Sequence, residues 1–245
     1  MFFAHQPSIF RAASLFLFCL LTHCRAPSKA TYPEYSQVIN LEISDDTLSP
    51  IEDFVWSEVV KVRSSKGWGT GTLFNLNGTV IAITAAHVVD DDMTVLLVDT
   101  NNNTVIFGDV IYNDHESDIA IIITSEIGRG LPLKFQHNVS GVGTDIFSVA
   151  HPNMHSKMLM RGEVVGYENN LRNFFILLQG FAWQGSSGAS VFDEEGNLVG
   201  ILSAIDVGRT GKKSVQLIPD VVWVKPAQLI DLEKLQTAIN AAQYK

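Results

Sequence analysis

Three short segments carry residue types that together could break an acyl bond. Thr84-Ala85-Ala86-His87-Val88-Val89 presents an imidazole just after an apolar run. His115-Glu116-Ser117-Asp118-Ile119-Ala120 presents a carboxylate at the mouth of another, which continues as Ile121-Ile122-Ile123. Gln184-Gly185-Ser186-Ser187-Gly188-Ala189-Ser190 presents hydroxyls between glycines. A hydroxyl that attacks a carbonyl needs a base to take its proton and a carboxylate to fix the tautomer of that base. Ser187, His87 and Asp118 supply these three groups. Gly185 and Gly188 allow the chain to turn sharply, so that the amides of Gly185 and Ser187 can face one oxyanion. Asp118 opens a strand of buried character, where a carboxylate requires a partner, and the His87 ring would supply it. Taken singly, each segment also fits a plainer role: a Gly/Ser surface turn, a satisfied histidine, a loop aspartate. Their order and spacing over about a hundred residues favour the joint reading. Asp114 and Glu116 are weaker alternatives to Asp118. An α/β-hydrolase nucleophile elbow does not fit, because Ala189 stands where that motif needs glycine.

Groups on loops need rigid elements behind them. Strand-like runs with turn signals between them fall near residues 55–62, 69–74, 80–84, 94–98, 104–112 and 119–124. A Gly/Pro-punctuated link follows over 127–141. Further runs fall near 145–150, 160–167, 174–178, 189–192, 198–205 and 215–224. Six plus six suggests an all-β chain of two six-stranded antiparallel barrels. His87 then follows the third strand, Asp118 the fifth, and Ser187 lies between the ninth and tenth, with the site in the cleft between barrels. After Pro226, Leu229, Leu232, Leu235 and Ile239 recur at helical spacing. The domain reading is 1–30 signal peptide, 31–54 N-terminal extension, 55–126 first barrel, 127–142 linker, 143–225 second barrel and 226–245 C-terminal helix.

These three contexts resemble the trypsin/chymotrypsin-like serine protease superfamily, in its bacterial, cysteine-poor HtrA-type or glutamyl-endopeptidase-type branch. The resemblance covers about residues 55 to 225. It departs at Ala189, where the family usually has Gly, and at Ser190, where Pro is frequent. It implies a chymotrypsin-like double barrel and a C-terminal helix packed on the second barrel; HtrA-type proteases usually carry a PDZ extension, and none is read here, so this chain would be the catalytic part alone. The implied activity is a secreted or periplasmic serine endopeptidase acting through an acyl-enzyme on protein or peptide substrates, without cofactor or metal. The other reading is a protease-fold binding protein of little or no activity. The resemblance also places a specificity pocket, with Phe181 at its base and Ser203-Ala204-Ile205 as one wall. Phe181 brings no charge for a basic side chain and Ile205 narrows the pocket, which favours small or medium aliphatic groups. Alternatively, Phe181 points into the core and carries no information. Ser186 stands where an aspartate would pair with a newly freed N-terminus, so salt-bridge activation of that kind is not expected.

Composition agrees with a globular domain: 46% hydrophobic and 18% charged residues over 245 positions. The net charge is −9, and residues 1–30 contribute only Arg11, Arg25 and Lys29, so the rest carries about −12. That disfavours nucleic acid or an anionic membrane as partner. The apolar stretch from Ala12 to Leu21 after Arg11 reads as a secretory signal, too short to span a bilayer. Ser28-Lys29-Ala30 offers a cleavage site after Ala30; retention as an anchor is the alternative. Cys19 and Cys24 both lie before that site, so the mature chain would have neither disulfide nor thiolate metal site. His151-Pro152-Asn153-Met154-His155 reads as a loop rather than a metal pair, and His115 and His137 as surface residues. Asn77-Gly78-Thr79 matches a glycosylation sequon but reads better as a hairpin turn.

Overall fold

The structure is a computed structural model that describes residues 48–124, 127–170, 173–209 and 215–243. The signal segment, its cleavage site and both cysteines lie outside the described residues. Among the described residues, no helix is long and apolar enough to cross a membrane.

The first element is a helix, α1 (Pro50–Ser57), where a strand starting at Val55 was expected. Local chemistry explains the difference. Ser49 is extended, its Oγ accepts from Glu52 N at 3.3 Å, and Glu52 Oε2 accepts from Ser49 N at 2.8 Å. This reciprocal capping box, with Pro50 in the first turn, starts a helix at that point.

The first barrel contains β1 (Val59–Arg63), β2 (Trp68–Leu76), β3 (Thr79–Thr84), β4 (Thr94–Asp99), β5 (Thr104–Asp114) and β6 (Ile119–Ile123). The order is β1-β4-β5-β6-β3-β2, and β2 pairs back with β1 to close it. Asn77 and Gly78, both with positive φ, turn β2 into β3. The linker adds an unforeseen two-residue strand, β7 (Leu131–Pro132), parallel to β2.

The second barrel contains β8 (Asp145–Ala150), β9 (Met158–Asn170), β10 (Asn173–Gln179), β11 (Ser190–Asp193), β12 (Leu198–Arg209) and β13 (Val215–Pro226). It closes in the order β8-β9-β10-β13-β12-β11, with antiparallel pairs throughout. Each barrel has its own apolar centre, and alternation along β12 serves both. Ile201 packs into the first-barrel cluster and Leu202 into the second.

The last helix, α3 (Leu232–Gln243), packs on the first barrel, against β5 and β6, and not on the second as expected. The reason lies in the exit from β13. Ala227 and Ile230 already belong to the first-barrel cluster, and the i, i+4 pair Leu235 and Ile239 continues it. Gln236 and Gln243 then meet Asn77 and Thr79 on the β2–β3 hairpin, at 2.8 and 2.9 Å.

Candidate active site

His87 sits in α2 (Ala86–Val89), a single turn that follows β3 directly. Its Nδ1 lies 3.0 Å from Asp118 Oδ1 and 2.9 Å from Oδ2, and its backbone amide donates to Oδ1 at 3.0 Å. A proton on Nδ1 satisfies the carboxylate and leaves Nε2 as the acceptor. The His87 side chain is 47% exposed and that of Asp118 14%.

Asp118 occupies the turn between β5 and β6 with φ +54°, rare for a residue with a side chain. The turn is braced by Asp114, which accepts from Ser117 Oγ at 2.7 Å and Glu116 N at 3.0 Å. Asp114 is thus a support for the turn. Burial pushes the Asp118 carboxyl upward. The hydrogen bond and charge of His87, the Ser203 hydroxyl and the His87 amide outweigh this, and the group lies below the ordinary carboxylate range.

Ser187 lies between β10 and β11. The loop amides alternate in a telling way. Ser186 N donates to Trp183 O at 2.9 Å, Gly188 N to Leu202 O at 2.8 Å and Ala189 N to Ser186 O at 3.0 Å. The amides of Gly185 and Ser187 have no acceptor among the described residues. Ser186 is fully buried, and its Oγ accepts from Trp183 N at 3.3 Å, whereas Ser187 is half-buried. Gly185 (φ +92°) and Gly188 (φ +86°) need glycine twice over, for conformation and for space. A Cβ on Gly185 would strike the Trp68 ring, and one on Gly188 would strike Thr84 Oγ1.

The first barrel holds this loop through Thr70. Its amide donates to Ser187 O at 2.8 Å, and its Oγ1 donates to Gly185 O at 2.7 Å while accepting from His151 N at 3.0 Å. Gly69 brings Ser187 and the His87 turn together: a Cβ there would lie 2.6 Å from Val88 Cγ2 and 2.7 Å from Ser187 O. The structure therefore brings His87 and Asp118 into direct contact and brings Ser187 O and the Val88 side chain up to the same glycine, Gly69, while no hydrogen bond joins Ser187 Oγ to His87 among the described residues. Sequence reasoning missed Thr70. Nothing local marks a threonine that bridges segments 81 and 115 residues away.

Of the expected pocket residues, Phe181 is 43% exposed, so it does not point into the core. Ile205 is half-buried against the second-barrel centre. Ser203 directs its hydroxyl to Asp118 Oδ2 at 2.5 Å, a contact its assignment to a pocket wall did not anticipate. His151 is fully buried, with Nδ1 3.2 Å from His155 O. Burial, with Lys61 and Lys157 adding to it, pushes the His151 imidazole down to about 4. Asn153 N donates to Gln184 O at 2.6 Å, so the His151–His155 turn braces the loop of Ser187. His115 and His137 are exposed.

Residues 69–201, more than half of the chain, match the trypsin-like peptidase domain family. The chain belongs to that family and is a serine endopeptidase, a hydrolase of peptides or proteins. No curated protein sequence matches it. Among solved structures it is similar to Rv3671c from M. tuberculosis H37Rv, a serine-to-alanine mutant in its inactive form. That match has 18% identity and a TM-score of 0.61, and covers 79% of this chain and 92% of that one. The HtrA-type protease AlgW, a serine-to-alanine form with a tripeptide, is similar at 18% identity and a TM-score of 0.65. The match covers 77% of this chain and 62% of that one. The serine endoprotease from Yersinia pestis is similar at 15% identity and a TM-score of 0.61, covering 80% of this chain and 68% of that one. These likenesses share the fold.

Proposed function

We propose that the protein cleaves peptide bonds with Ser187 as nucleophile, His87 as general base and acid, and Asp118 as the group that orients His87. The observation that carries this reading is the His87–Asp118 pair, with Nδ1 within 3.0 Å of both carboxylate oxygens and Nε2 left to accept. Ser187 Oγ attacks the carbonyl carbon and its proton passes to His87 Nε2. The amides of Gly185 and Ser187, which have no other acceptor among the described residues, receive the oxyanion. The C–N bond then breaks as His87 returns the proton to the leaving amine. Water, deprotonated by His87, hydrolyses the acyl-Ser187 ester and restores the hydroxyl.

The choice of Ser187 over Ser186 rests on burial: Ser186 is enclosed and committed to Trp183. Ser187→Ala should abolish hydrolysis and covalent capture by a fluorophosphonate, with the fold intact by circular dichroism. Ser186→Ala should keep both. Capture of the Ser187→Ala variant, or equal loss in the two, would refute the assignment. Absence of capture in the wild-type protein would favour a binding protein instead. The N-terminal apolar segment supports export, as a secreted or periplasmic enzyme, and the acidic mature chain supports protein rather than nucleic-acid partners.

A further inference from the structure

Lys225 is a buried cation that the reaction scheme leaves unused. It lies in β13 with 3% of its surface exposed. Burial lowers its ammonium from the ordinary lysine range, and the charges of Asp118, Asp114 and Glu116 oppose that shift. Its partners are all acceptors. Nζ donates to Asn173 Oδ1 at 2.8 Å and to Glu116 O at 3.2 Å, and stands 4.2 Å from the centre of the Phe175 ring. Three acceptors suit the three donors of an ammonium.

Register explains why this side chain reaches the site. Lys225 pairs with Ile201 on β12, so the two side chains share a face. That face is turned toward the first barrel, because Ile201 belongs to the first-barrel cluster, while the alternate residues Leu202 and Val224 line the second. Ser203, two residues beyond Ile201, reaches Asp118 from this side. Trp223 packs edge-on against Phe175, with ring centres 5.2 Å apart, and Phe175 in turn underlies the Lys225 ammonium. The carbonyl that Lys225 grips lies two residues before Asp118, inside the turn that holds Asp118 at positive φ.

The geometry points to Lys225 as a positioning residue for Asp118: it clamps the 115–118 turn through Glu116 O. This rests on the proposed roles of His87 and Asp118. The clamped turn keeps its carboxylate aimed at His87 Nδ1.

The test removes the charge in two ways and keeps it in a third, with Lys225→Met, Lys225→Gln and Lys225→Arg. The proton on His87 Nδ1, shared with Asp118, is followed by NMR in each, and kcat and KM for a peptide substrate are measured separately. In the Met and Gln variants the Nδ1 proton signal should move upfield or broaden, and kcat should fall by about tenfold or more with KM within about twofold. Lys225→Arg, which keeps a donor for Glu116 O, should leave both near their wild-type values. A purely structural lysine would lower the folded fraction without moving the Nδ1 signal of the folded protein. An unmoved Nδ1 signal in a folded Met or Gln variant overturns the proposal, as does an equal change in Lys225→Arg. Failure of both neutral variants to fold also overturns it, since Lys225 would then be a cation of the core. The NMR readout needs no turnover. Failure of the Ser187 assignment would show separately, as hydrolysis surviving in Ser187→Ala.

Discussion

Ser203 and Ile205 were expected in one pocket wall, yet the structure separates what they can do. The Ser203 hydroxyl donates to Asp118 Oδ2 at 2.5 Å, the same oxygen that faces His87 Nδ1 at 2.9 Å. Ser203→Ala removes one donor from a carboxylate whose side chain is only 14% exposed. A hydrogen bond to a charged acceptor contributes about 1.5–3 kcal/mol. At about 1.4 kcal/mol per factor of ten, complete loss would cost roughly 10- to 150-fold in rate. The His87 ring and amide still hold Asp118, so about tenfold in kcat/KM is expected, near the lower end of that range. The loss should be the same for every substrate, because the hydroxyl acts on Asp118. Ile205→Gly should do the opposite. It removes a four-carbon side chain, and one methylene in an apolar pocket is worth about 1–3 kcal/mol of discrimination. Preference should move toward larger side chains while the best rates change little. Both variants are assayed as kcat/KM over peptides that differ only in the residue before the scissile bond. Reordering of that series by Ser203→Ala, or a loss under about twofold, would refute the role given to the hydroxyl. An unchanged series in Ile205→Gly would place the pocket wall elsewhere and remove the aliphatic preference.

Two further outcomes are expected. His151 has a folded value of about 4 against an ordinary 6.5, so the unfolded chain takes up a proton over that interval and the folded one does not. Its stability contribution is complete above pH 6.5 and falls as pH drops toward 4, by about 3 kcal/mol in all. His151→Asn should flatten urea-denaturation stability between pH 7 and 4.5 by about 2 kcal/mol, and parallel curves for variant and wild type would refute it. N-terminal sequencing of the exported protein should begin at Thr31, and a start at Met1 would instead support a retained anchor.

How much of this was legible depended on distance along the chain. Strands β2 to β6 and β8 to β13 were readable to within a few residues, because alternation and turn chemistry are local signals. Helix α1 was equally local and was missed: Ser49 and Glu52 stand at capping-box spacing around Pro50, but the apolar run from Val55 onward suggested a strand. The side on which α3 packs was not local. Leu235 and Ile239 mark an apolar stripe, and only the exit from β13 decides which barrel it covers. The site divides in the same way. His87, Asp118 and the glycines around Ser187 each sit in a recognisable window. Their supports do not, since Thr70, His151 and Ser203 act across 81 to 115 residues. Lys225 lies between these cases. A lysine at the end of Val221-Val222-Trp223-Val224 interrupts a run of buried character, and a charge placed there requires acceptors. That much can be inferred from the run itself. The carbonyl it reaches is 109 residues upstream, beside Asp118. A charge where a buried strand should be apolar is therefore a local sign of a remote contact, and here the contact leads to the site.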